Sequence, residues 1–304
     1  MPVKRRSQFG RRSMTVPILV LLLVTIVLVS YLIYSSTSGG GSNQLVGAQV
    51  PGQIMSYISG VSFGTISAVV NTQGIVSPSA INSSSSLTLN GKPEVLYIGA
   101  EYCPYCAAER WALLVALSKF GEFSGVAYML SAPAPEVYPN TATFTFAKAN
   151  YTSSYISFVA VETQDRNHNP LQTPSAEEQT LFSLYDSSQS IPFVDFANRY
   201  VLVGTQYSPA VLQNKNWTQI ATQLDSPGSV VAQNIDAAAG RLIKTICQID
   251  GGRPSSVCGQ NFLTQLTGTM PGLQSVAWSG ASNADRVAVV DRLNAAKAGG
   301  SRWL

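Results

Sequence analysis

The chain has 304 residues, of which 45% are hydrophobic and 12% are charged. This composition excludes wholesale disorder, and the length suits one large domain or two small ones. Five of the 19 basic residues precede residue 13, which leaves 14 basic against 16 acidic residues in the rest of the chain. Nucleic-acid binding needs a basic face on the folded part, so no nucleic-acid partner is expected. A single histidine also argues against histidine-based catalysis and a His-rich metal site.

An apolar stretch near the N-terminus predicts a membrane anchor. Residues 16–34 carry no charge, and a helix of this length crosses the hydrocarbon core of a bilayer. Basic residues precede the stretch and the next one is Lys92, so the positive-inside rule places residues 1–15 in the cytoplasm and the main domain outside it. A cleaved signal peptide is the alternative, although its apolar core is usually shorter. We therefore expect a single-pass, extracytoplasmic membrane protein that contacts the lipid bilayer through residues 16–34.

The rest of the chain is predicted to form a linker, one α/β domain and a helical extension. Residues 35–50 are a flexible Ser/Gly-rich linker, the main domain covers residues 51–228, and the extension with its weakly patterned tail covers residues 229–304. Residues 94–100 (EVLYIGA) are a run of strand formers after an Asn-Gly turn, which predicts a buried strand. Residues 107–120 have apolar side chains at helical spacing, which predicts a helix.

Later segments are predicted by the same patterns. Ser175 and Glu178 form a capping box that begins a helix reaching about residue 186. Two short apolar runs, 193–196 and 200–203, are separated by three residues and predict a β-hairpin. The other predicted elements are a helix in the first part of 51–90, strands at 126–130, 143–146 and 155–162, and helices at 209–224 and 229–249.

A Cys-Pro-Tyr-Cys motif at the junction of the first predicted strand and the following helix carries the chemistry. A thiolate attacks a disulfide, and the unpaired N–H groups at a helix N-terminus lower the pKa of a cysteine placed there. Cys103 is therefore the predicted nucleophile, and Cys106, one turn into the helix, is the predicted resolving thiol. Pro104 suits the first turn because its missing N–H has no intrahelical partner there. Tyr105 completes the motif, and Tyr102, just before it, either shields the thiol or simply packs.

Other interpretations of the cysteines remain open. A CxxC pair is half of a zinc site, but the second half is missing because Cys247 and Cys258 are separated by ten residues. No metal or cofactor is therefore expected. A purely structural disulfide within the motif would be strained. Cys247 and Cys258 are predicted to form a structural disulfide outside the cytoplasm, and a second redox pair that relays electrons to the motif is the alternative.

Three blocks of the sequence resemble the thioredoxin-like superfamily and, within it, the largely archaeal domain of unknown function 929 family. They are residues 90–125, which hold the CPYC motif, residues 191–204 (IPFVDFANRYVLVG) and residues 246–258 (ICQIDGGRPSSVC). The resemblance implies an α/β, thioredoxin-like fold, in which helices flank a central mixed sheet, and CxxC redox chemistry. It supplies no substrate. The CPYC motif is also similar to that of glutaredoxins, but no glutathione site is carried over.

The resemblance also implies roles for residues near the motif. In the thioredoxin fold a cis-proline faces the CxxC pair and offers backbone groups to an extended substrate. Ile191 and Pro192 occupy that place, so Pro192 is the third predicted catalytic residue. A buried carboxylate normally stands six residues before the first cysteine, where this chain has Tyr97. Glu101 and Glu109 are alternatives for proton transfer, although the pattern favours surface positions for both.

These observations predict a membrane-anchored extracytoplasmic thiol–disulfide oxidoreductase that forms, isomerises or reduces disulfides in exported proteins. Its partners would be cysteine-containing exported proteins and a membrane redox partner that resets the cysteine pair. A non-enzymatic thioredoxin-fold binding module or a Cu(I) carrier is the alternative, and a thiol peroxidase is a third. Glycosylation sequons at Asn82, Asn150 and Asn216 leave modification open. His168 lies in a polar segment and is interpreted as a solvated loop residue.

Overall fold

The computed structural model describes residues 20–30, 43–266 and 283–298. The chain divides into two units, Met1–Gly39 and Gly40–Leu304. In the first unit the structure describes one helix, α1, over residues 20–30, and its side chains are exposed.

The prediction of a single-pass membrane protein is wrong. Among the described residues, no helix is both long and apolar enough to cross a membrane. A helix needs about 20 residues to span the hydrocarbon core, and α1 is described only from residue 20 to residue 30. The predicted orientation across a bilayer is therefore not retained. Residues 16–19 and 31–34 of the predicted anchor lie outside the described residues, as do the predicted basic tail 1–15 and residues 35–42 of the linker.

The second unit is built on a mixed sheet. Its strands are β1 (Ser79–Ala80), β2 (Thr88–Leu89), β3 (Lys92–Gly99), β4 (Gly121–Ser124), β5 (Ala127–Leu130), β6 (Ala142–Thr145), β7 (Asn150–Ser153), β8 (Ser157–Glu162), β9 (Phe193–Phe196) and β10 (Tyr200–Val203). The main sheet has the order β1–β10–β9–β3–β2, and β8 also pairs with β3. The β3–β8 pair is parallel, whereas β3–β9 and β9–β10 are antiparallel. The pairs β4–β7 and β5–β6 lie outside the main sheet.

Helices flank this sheet, which confirms the coarse α/β prediction of a mixed sheet with flanking helices. They are α2 (Gly52–Ser59), α3 (Phe63–Val69), α4 (Pro104–Leu117), α5 (Ala176–Tyr185), α6 (Trp217–Ala221), α7 (Val230–Ile249), α8 (Ser255–Cys258), α9 (Phe262–Gln265) and α10 (Asn283–Ala298). Short 3-10 turns cover Asn43–Leu45 and Pro209–Leu212.

Strand β3 and helix α4 form the centre of the core. From Glu94 onward β3 is buried, as expected for a strand that has a parallel neighbour. In α4 every residue except Tyr105 is buried, because α7 and β6 both pack against this helix. The indole of Trp111 packs against Phe144 of β6, with ring centroids 4.5 Å apart, and donates to the carbonyl oxygen of Ala142 at 2.9 Å. The helix ends at Leu117 rather than at residue 120, because a strand, β4, begins at Gly121.

Several predicted elements are confirmed in the second unit. The hairpin strands β9 and β10 have the predicted bounds, and the capping box of Ser175 and Glu178 begins α5. The predicted helix over 209–224 is instead a 3-10 turn followed by α6. Asn214 between them has a positive φ of 59°, and the side chain of Asn216 caps α6. An asparagine in the left-handed region interrupts a helix.

The segment after residue 229 contributes to the same folded unit. Helix α7 buries one face against α3 and α4. Helix α10 packs on α5 and buries Val289, Val290 and Leu293. Residues 267–282 and 299–304 of the predicted tail lie outside the described residues.

Candidate active site

The sheet topology brings two loops together at one edge. Strand β3 leads into the CPYC motif, and β9 begins directly after Pro192. Since β3 and β9 are antiparallel and Ile98 pairs with Phe193, the end of β3 lies beside the start of β9. The motif and the Ile191–Pro192 segment therefore face each other, although 88 residues separate Cys103 from Ile191.

Cys103 is the N-cap residue of α4. Its backbone is extended, with φ of −75° and ψ of 121°, and its sulfur accepts a hydrogen bond from the backbone N–H of Cys106 at 3.2 Å. Pro104 occupies the first turn. The hydrogen bond with the Cys106 side chain, further backbone hydrogen bonds and the positive charge of Arg110 lower the pKa of Cys103, although burial acts against them. Of the two thiols, that of Cys103 therefore ionises more readily.

Cys106 has the opposite environment. Its side chain is completely buried, and burial raises the pKa of Cys106 well above its ordinary value, with a further increase from the neighbouring Cys103. Both cysteines are present as free thiols. The arrangement thus separates an ionisable thiol at the helix start from a protonated thiol one turn deeper, which is the division of labour that thiol–disulfide exchange needs.

The Ile191–Pro192 peptide bond is cis, and the carbonyl oxygen of Ile191 faces the motif. The sulfur of Cys103 lies 3.9 Å from the carbonyl oxygen of Ile191 and donates to it. Ile191 is partly exposed and Pro192 is buried. The carbonyl oxygen of Pro192 accepts a hydrogen bond from the N–H of Gly204 at 2.8 Å, which ties this loop to the end of β10.

Aromatic side chains surround the motif. Tyr105 is 41% exposed and makes an edge contact with Tyr138, with ring centroids 6.0 Å apart. Tyr102 is partly buried and packs against the ring of His168 at 4.0 Å. His168 itself is exposed on its turn. The predicted solvated loop histidine thus also contacts the residue that precedes the motif.

The two glutamates considered for proton transfer are buried, so the sequence-based preference for surface positions is wrong. Glu101 is 6% exposed and Glu109 is completely buried. Burial raises the pKa of Glu101, and it raises the pKa of Glu109 to about 7. A carboxylate oxygen of Glu109 accepts from the backbone N–H of Gln206 at 3.0 Å. Glu109 thus bonds to the segment after β10 and not to the cysteines.

A buried ion pair beside the cysteines was not predicted. Arg110 donates through Nε to Oε1 of Glu162 at 2.9 Å and through Nη2 to Oε2 at 2.6 Å. Nη2 also donates to the carbonyl oxygen of Ala100 at 2.7 Å, at the end of β3. Both charged side chains are completely buried. Arg110 lies four residues after Cys106, and residues at this spacing share one side of a helix, so its charge lies close to the resolving thiol.

Tyr97 lies on β3, six residues before Cys103. It is completely buried, and the guanidinium carbon of Arg110 lies 5.9 Å from its ring centroid. A methyl group on Gly99 would overlap the Tyr97 hydroxyl, so glycine at that position provides the space for it. Burial raises the pKa of Tyr97 well above its ordinary value. Tyr97 is therefore neutral near pH 7 and cannot replace the carboxylate as a proton acceptor.

The other two cysteines form a disulfide. It joins Cys247, in the last turn of α7, to Cys258, at the end of α8, with Cα atoms 5.5 Å apart. The loop that it closes contains two glycines with positive φ, Gly251 and Gly252. The bond constrains the connection between these two helices.

Comparison with known families finds a similarity over the region that contains the motif. A family model described as a domain of unknown function (DUF929) matches residues 79–190. The matched region includes the CPYC motif and stops just before Ile191. It confirms the resemblance to that family and brings no assigned activity. No curated protein and no solved structure matches the chain.

Proposed function

We propose that this protein is a thiol–disulfide oxidoreductase with a thioredoxin-like fold. Cys103 is the nucleophile, Cys106 is the resolving thiol and Pro192 positions the substrate. The observation that carries the proposal is the position of the Cys103 sulfur. It caps α4 through a hydrogen bond from Cys106 and lies 3.9 Å from the carbonyl oxygen of Ile191. A thiol with a lowered pKa thus lies directly beside the peptide segment before Pro192.

The reaction has two balanced steps. The Cys103 thiolate attacks one sulfur of a substrate disulfide, which forms a Cys103–substrate disulfide and releases the other substrate sulfur as a thiolate that takes up a proton. Cys106 then loses its proton and attacks the Cys103 sulfur. This forms the Cys103–Cys106 disulfide and releases the second substrate thiol. The substrate gains two electrons and the cysteine pair loses two, and the reverse sequence oxidises a substrate dithiol.

The surroundings of the thiol favour a polypeptide substrate. The carbonyl oxygen of Ile191 is an acceptor beside the Cys103 sulfur, and a backbone acceptor at the reacting atom suits an extended peptide. The exposed Tyr105 offers an apolar ring within the motif itself. We therefore propose proteins with cysteine pairs as substrates, and a separate redox partner that resets the pair.

The test is turnover of a protein disulfide in both directions. We expect the wild-type protein to accelerate insulin reduction by dithiothreitol or the refolding of reduced ribonuclease in a glutathione buffer. Cys103→Ser should lose this activity, and Cys106→Ser should accumulate a mixed disulfide with the substrate that is visible by mass spectrometry.

The matched control is the double variant Cys247→Ser/Cys258→Ser, which removes two sulfurs but leaves the motif intact. It should retain activity in proportion to its folded fraction. A folded wild-type protein that is inactive in both assays would contradict the proposal. If that inactive protein bound Cu(I) tightly through Cys103 and Cys106, the carrier function would replace the enzyme.

A further inference from the structure

The second step of the proposed reaction requires a negative charge on Cys106, and the residues considered for proton transfer do not account for it. Cys106 must become a thiolate while it is completely buried, and burial strongly disfavours a negative charge. Tyr97, which stands in place of the carboxylate of the superfamily, is neutral near pH 7. Within residues 43–266, Glu101 and Glu109 form no hydrogen bond to either cysteine. Some other group must offset the charge on the sulfur.

We propose that Arg110 is a positioning residue for the resolving thiol, and that its buried guanidinium stabilises the negative charge on Cys106 during attack on the mixed disulfide. The proposal rests on the proposed function, and it names the residue that makes the second step feasible. Glu162 and the Ala100 carbonyl hold the guanidinium in place.

The geometry supports this role. Arg110 follows Cys106 by four residues on α4, and side chains at this spacing lie about 5–6 Å apart at Cβ. Nε and Nη2 of Arg110 donate to Glu162, whereas Nη1 of Arg110 is buried and has no hydrogen-bond partner among the described residues. An unpartnered buried donor is costly, so this end of the guanidinium keeps a donor that a nearby negative charge would satisfy. The side chains of Arg110 and Cys106 are both completely buried, and a charge acts more strongly on a neighbouring group in the protein interior than in bulk water.

The electrostatics agree with the geometry. The charge of Arg110 lowers the pKa of both thiols, and it is the largest influence that opposes burial at Cys106. The contact with Glu162 leaves the pair formally neutral, so the counter-charge of Glu162 weakens the effect of Arg110 on the sulfur. The expected directions are therefore opposite. Removing the charge of Arg110 should raise the pKa of Cys106, and removing the charge of Glu162 should lower it.

The role also has a consequence for the redox equilibrium. Thiolates exist only in the reduced form of the pair, and the Cys103–Cys106 disulfide carries no charge. Arg110 therefore stabilises the reduced form and makes the pair a stronger oxidant than it would be without this charge.

The test compares two variants that differ only at residue 110. Each single variant leaves one buried charge without its partner, Glu162 in Arg110→Met and Arg110 in Glu162→Gln, and both are destabilised for this reason. In Glu162→Gln the glutamine oxygen still offers the guanidinium an acceptor, and the double variant carries no charge at either position. The comparison is therefore between Glu162→Gln and the double variant Arg110→Met/Glu162→Gln. The glutamine side chain carries no charge, and its oxygen can still accept from the backbone N–H of Phe146, as the Glu162 carboxylate does.

The measurement uses a small probe, so that it does not depend on a protein substrate. The reduced protein reacts with 5,5′-dithiobis(2-nitrobenzoate), and release of the second thionitrobenzoate reports the attack of Cys106 on the mixed disulfide. We expect this second rate at pH 7 to be about tenfold lower in the double variant than in Glu162→Gln, with a pH profile displaced to higher pH. Relative to the wild type, Glu162→Gln should displace the profile to lower pH. Equilibration with glutathione should show the double variant to be the weaker oxidant.

Different results overturn different statements. If both folded variants resolve the mixed disulfide with the wild-type pH profile, Arg110 has no role in charge stabilisation, whatever its effect on the melting temperature. If the double variant does not fold, an unchanged profile in Glu162→Gln alone overturns the proposal. If the wild-type protein resolves the probe with the expected profile but acts on no protein disulfide, the proposed function fails and the role of Arg110 stands.

Discussion

At the scale of single residues, the two thiols of the motif differ because of one helical turn. The sulfur of Cys103 accepts hydrogen bonds at the N-terminus of α4, where the unpaired N–H groups favour a negative charge. Cys106 begins the buried stretch of the same helix. The contrast in pKa therefore follows from the place of the motif in the fold and does not require a separate acid or base.

The pKa of Cys103 should depend on the side chain at residue 106. The hydrogen bond from the Cys106 side chain is the largest influence that lowers the pKa of Cys103. Serine at residue 106 keeps a donor, and alanine removes it. We therefore expect the pH midpoint of Cys103 alkylation by iodoacetamide to lie higher in Cys106→Ala than in Cys106→Ser. The midpoint in Cys106→Ser should lie below the value of about 8.5 for a free cysteine.

Circular dichroism of both variants provides the control for folding. Equal midpoints in the two variants would mean that the side chain of residue 106 does not donate to the Cys103 sulfur. A midpoint near that of a free cysteine in Cys106→Ser would mean that the helix N-terminus does not stabilise the thiolate.

Sequence reasoning found the cysteines but not the charges around them. The spacing of Cys103 and Cys106 at a strand–helix junction is a local pattern, and it places both residues at the start of α4. Arg110 and Glu109 instead occur in a helical segment where charged residues are usually solvated. Glu109 is buried against the segment after β10, 97 residues away in the chain, and Arg110 is paired with Glu162, 52 residues away. No local pattern contains that information.

At the scale of elements, the position of α7 depends on a close contact at Gly240. A Cβ atom on this residue would lie 2.8 Å from Cγ2 of Val70 and 3.0 Å from Cγ2 of Ile66. Glycine normally weakens a helix by about 1 kcal/mol relative to alanine. Glycine occurs in the middle of α7 because α3 and Val70, the residue after α3, approach the helix closely at this point.

A larger side chain at residue 240 should destabilise the fold. We expect Gly240→Val to lower the free energy of unfolding by about 1–3 kcal/mol, because its methyl groups would overlap Val70 and force α3 away from α7. Urea unfolding monitored by circular dichroism measures this change. Gln248→Val is the matched control, since Gln248 is an exposed position of the same helix.

The same contact is tested by a second substitution. Val70→Ala creates space next to residue 240, so the cost of Gly240→Val should be smaller in the Val70→Ala background than in the wild type. If the two substitutions are simply additive, or if Gly240→Val costs no more than Gln248→Val, then the close packing of α3 and α7 does not explain the glycine.

The elements themselves were partly predictable. The hairpin of β9 and β10 and the capping box of α5 depend on neighbouring residues, and the structure has both. The helix predicted over 209–224 was wrong because periodicity does not detect the left-handed backbone at Asn214. Strand β7 pairs with β4 across more than 20 residues. Burial alternates along both strands, but each has four residues and only one large apolar side chain, Phe123 or Tyr151, which is too few to show the alternation in the sequence.

At the scale of the whole molecule, several carboxyl groups are buried so deeply that the effect of burial exceeds that of any nearby cation, Lys297 for Asp195 and Lys119 for Asp236. Burial raises the pKa of Glu109 to about 7, that of Asp195 to about 7 and that of Asp236 to about 8. Neither carboxylate oxygen of Asp236 has a hydrogen-bond partner among the described residues. The low share of charged residues in the composition does not reveal these positions, because burial is decided by packing between distant segments.

Each of these groups makes a contribution of known sign to the pH dependence of stability. In the unfolded chain they ionise near pH 4, whereas in the folded protein they stay protonated up to about pH 7 or 8. Between these limits the folded state binds more protons, so the free energy of unfolding falls as the pH rises. Their contribution is fully favourable below about pH 4 and is lost by about pH 8. Asp225 acts in the opposite direction, because hydrogen bonds from Thr65 and Ser62 lower its pKa.

The two aspartates give a matched pair of variants for this dependence. Asparagine at residue 236 cannot ionise, so Asp236→Asn should reduce the loss of stability between pH 5 and pH 8. The slope of the unfolding free energy against pH should change by the equivalent of at most one bound proton. Asp225→Asn should lower the stability at pH 7 because it removes an ionised acceptor that is favourable there. The measurement is the free energy of urea unfolding at pH 5, 6, 7 and 8 for the wild type and both variants. A wild-type protein that is more stable at pH 8 than at pH 5, together with an unchanged slope in Asp236→Asn, would show that Asp236 is ionised in the folded state. Since burial of Asp236 follows from the packing of α7 within the fold, that result would also contradict the position of this helix.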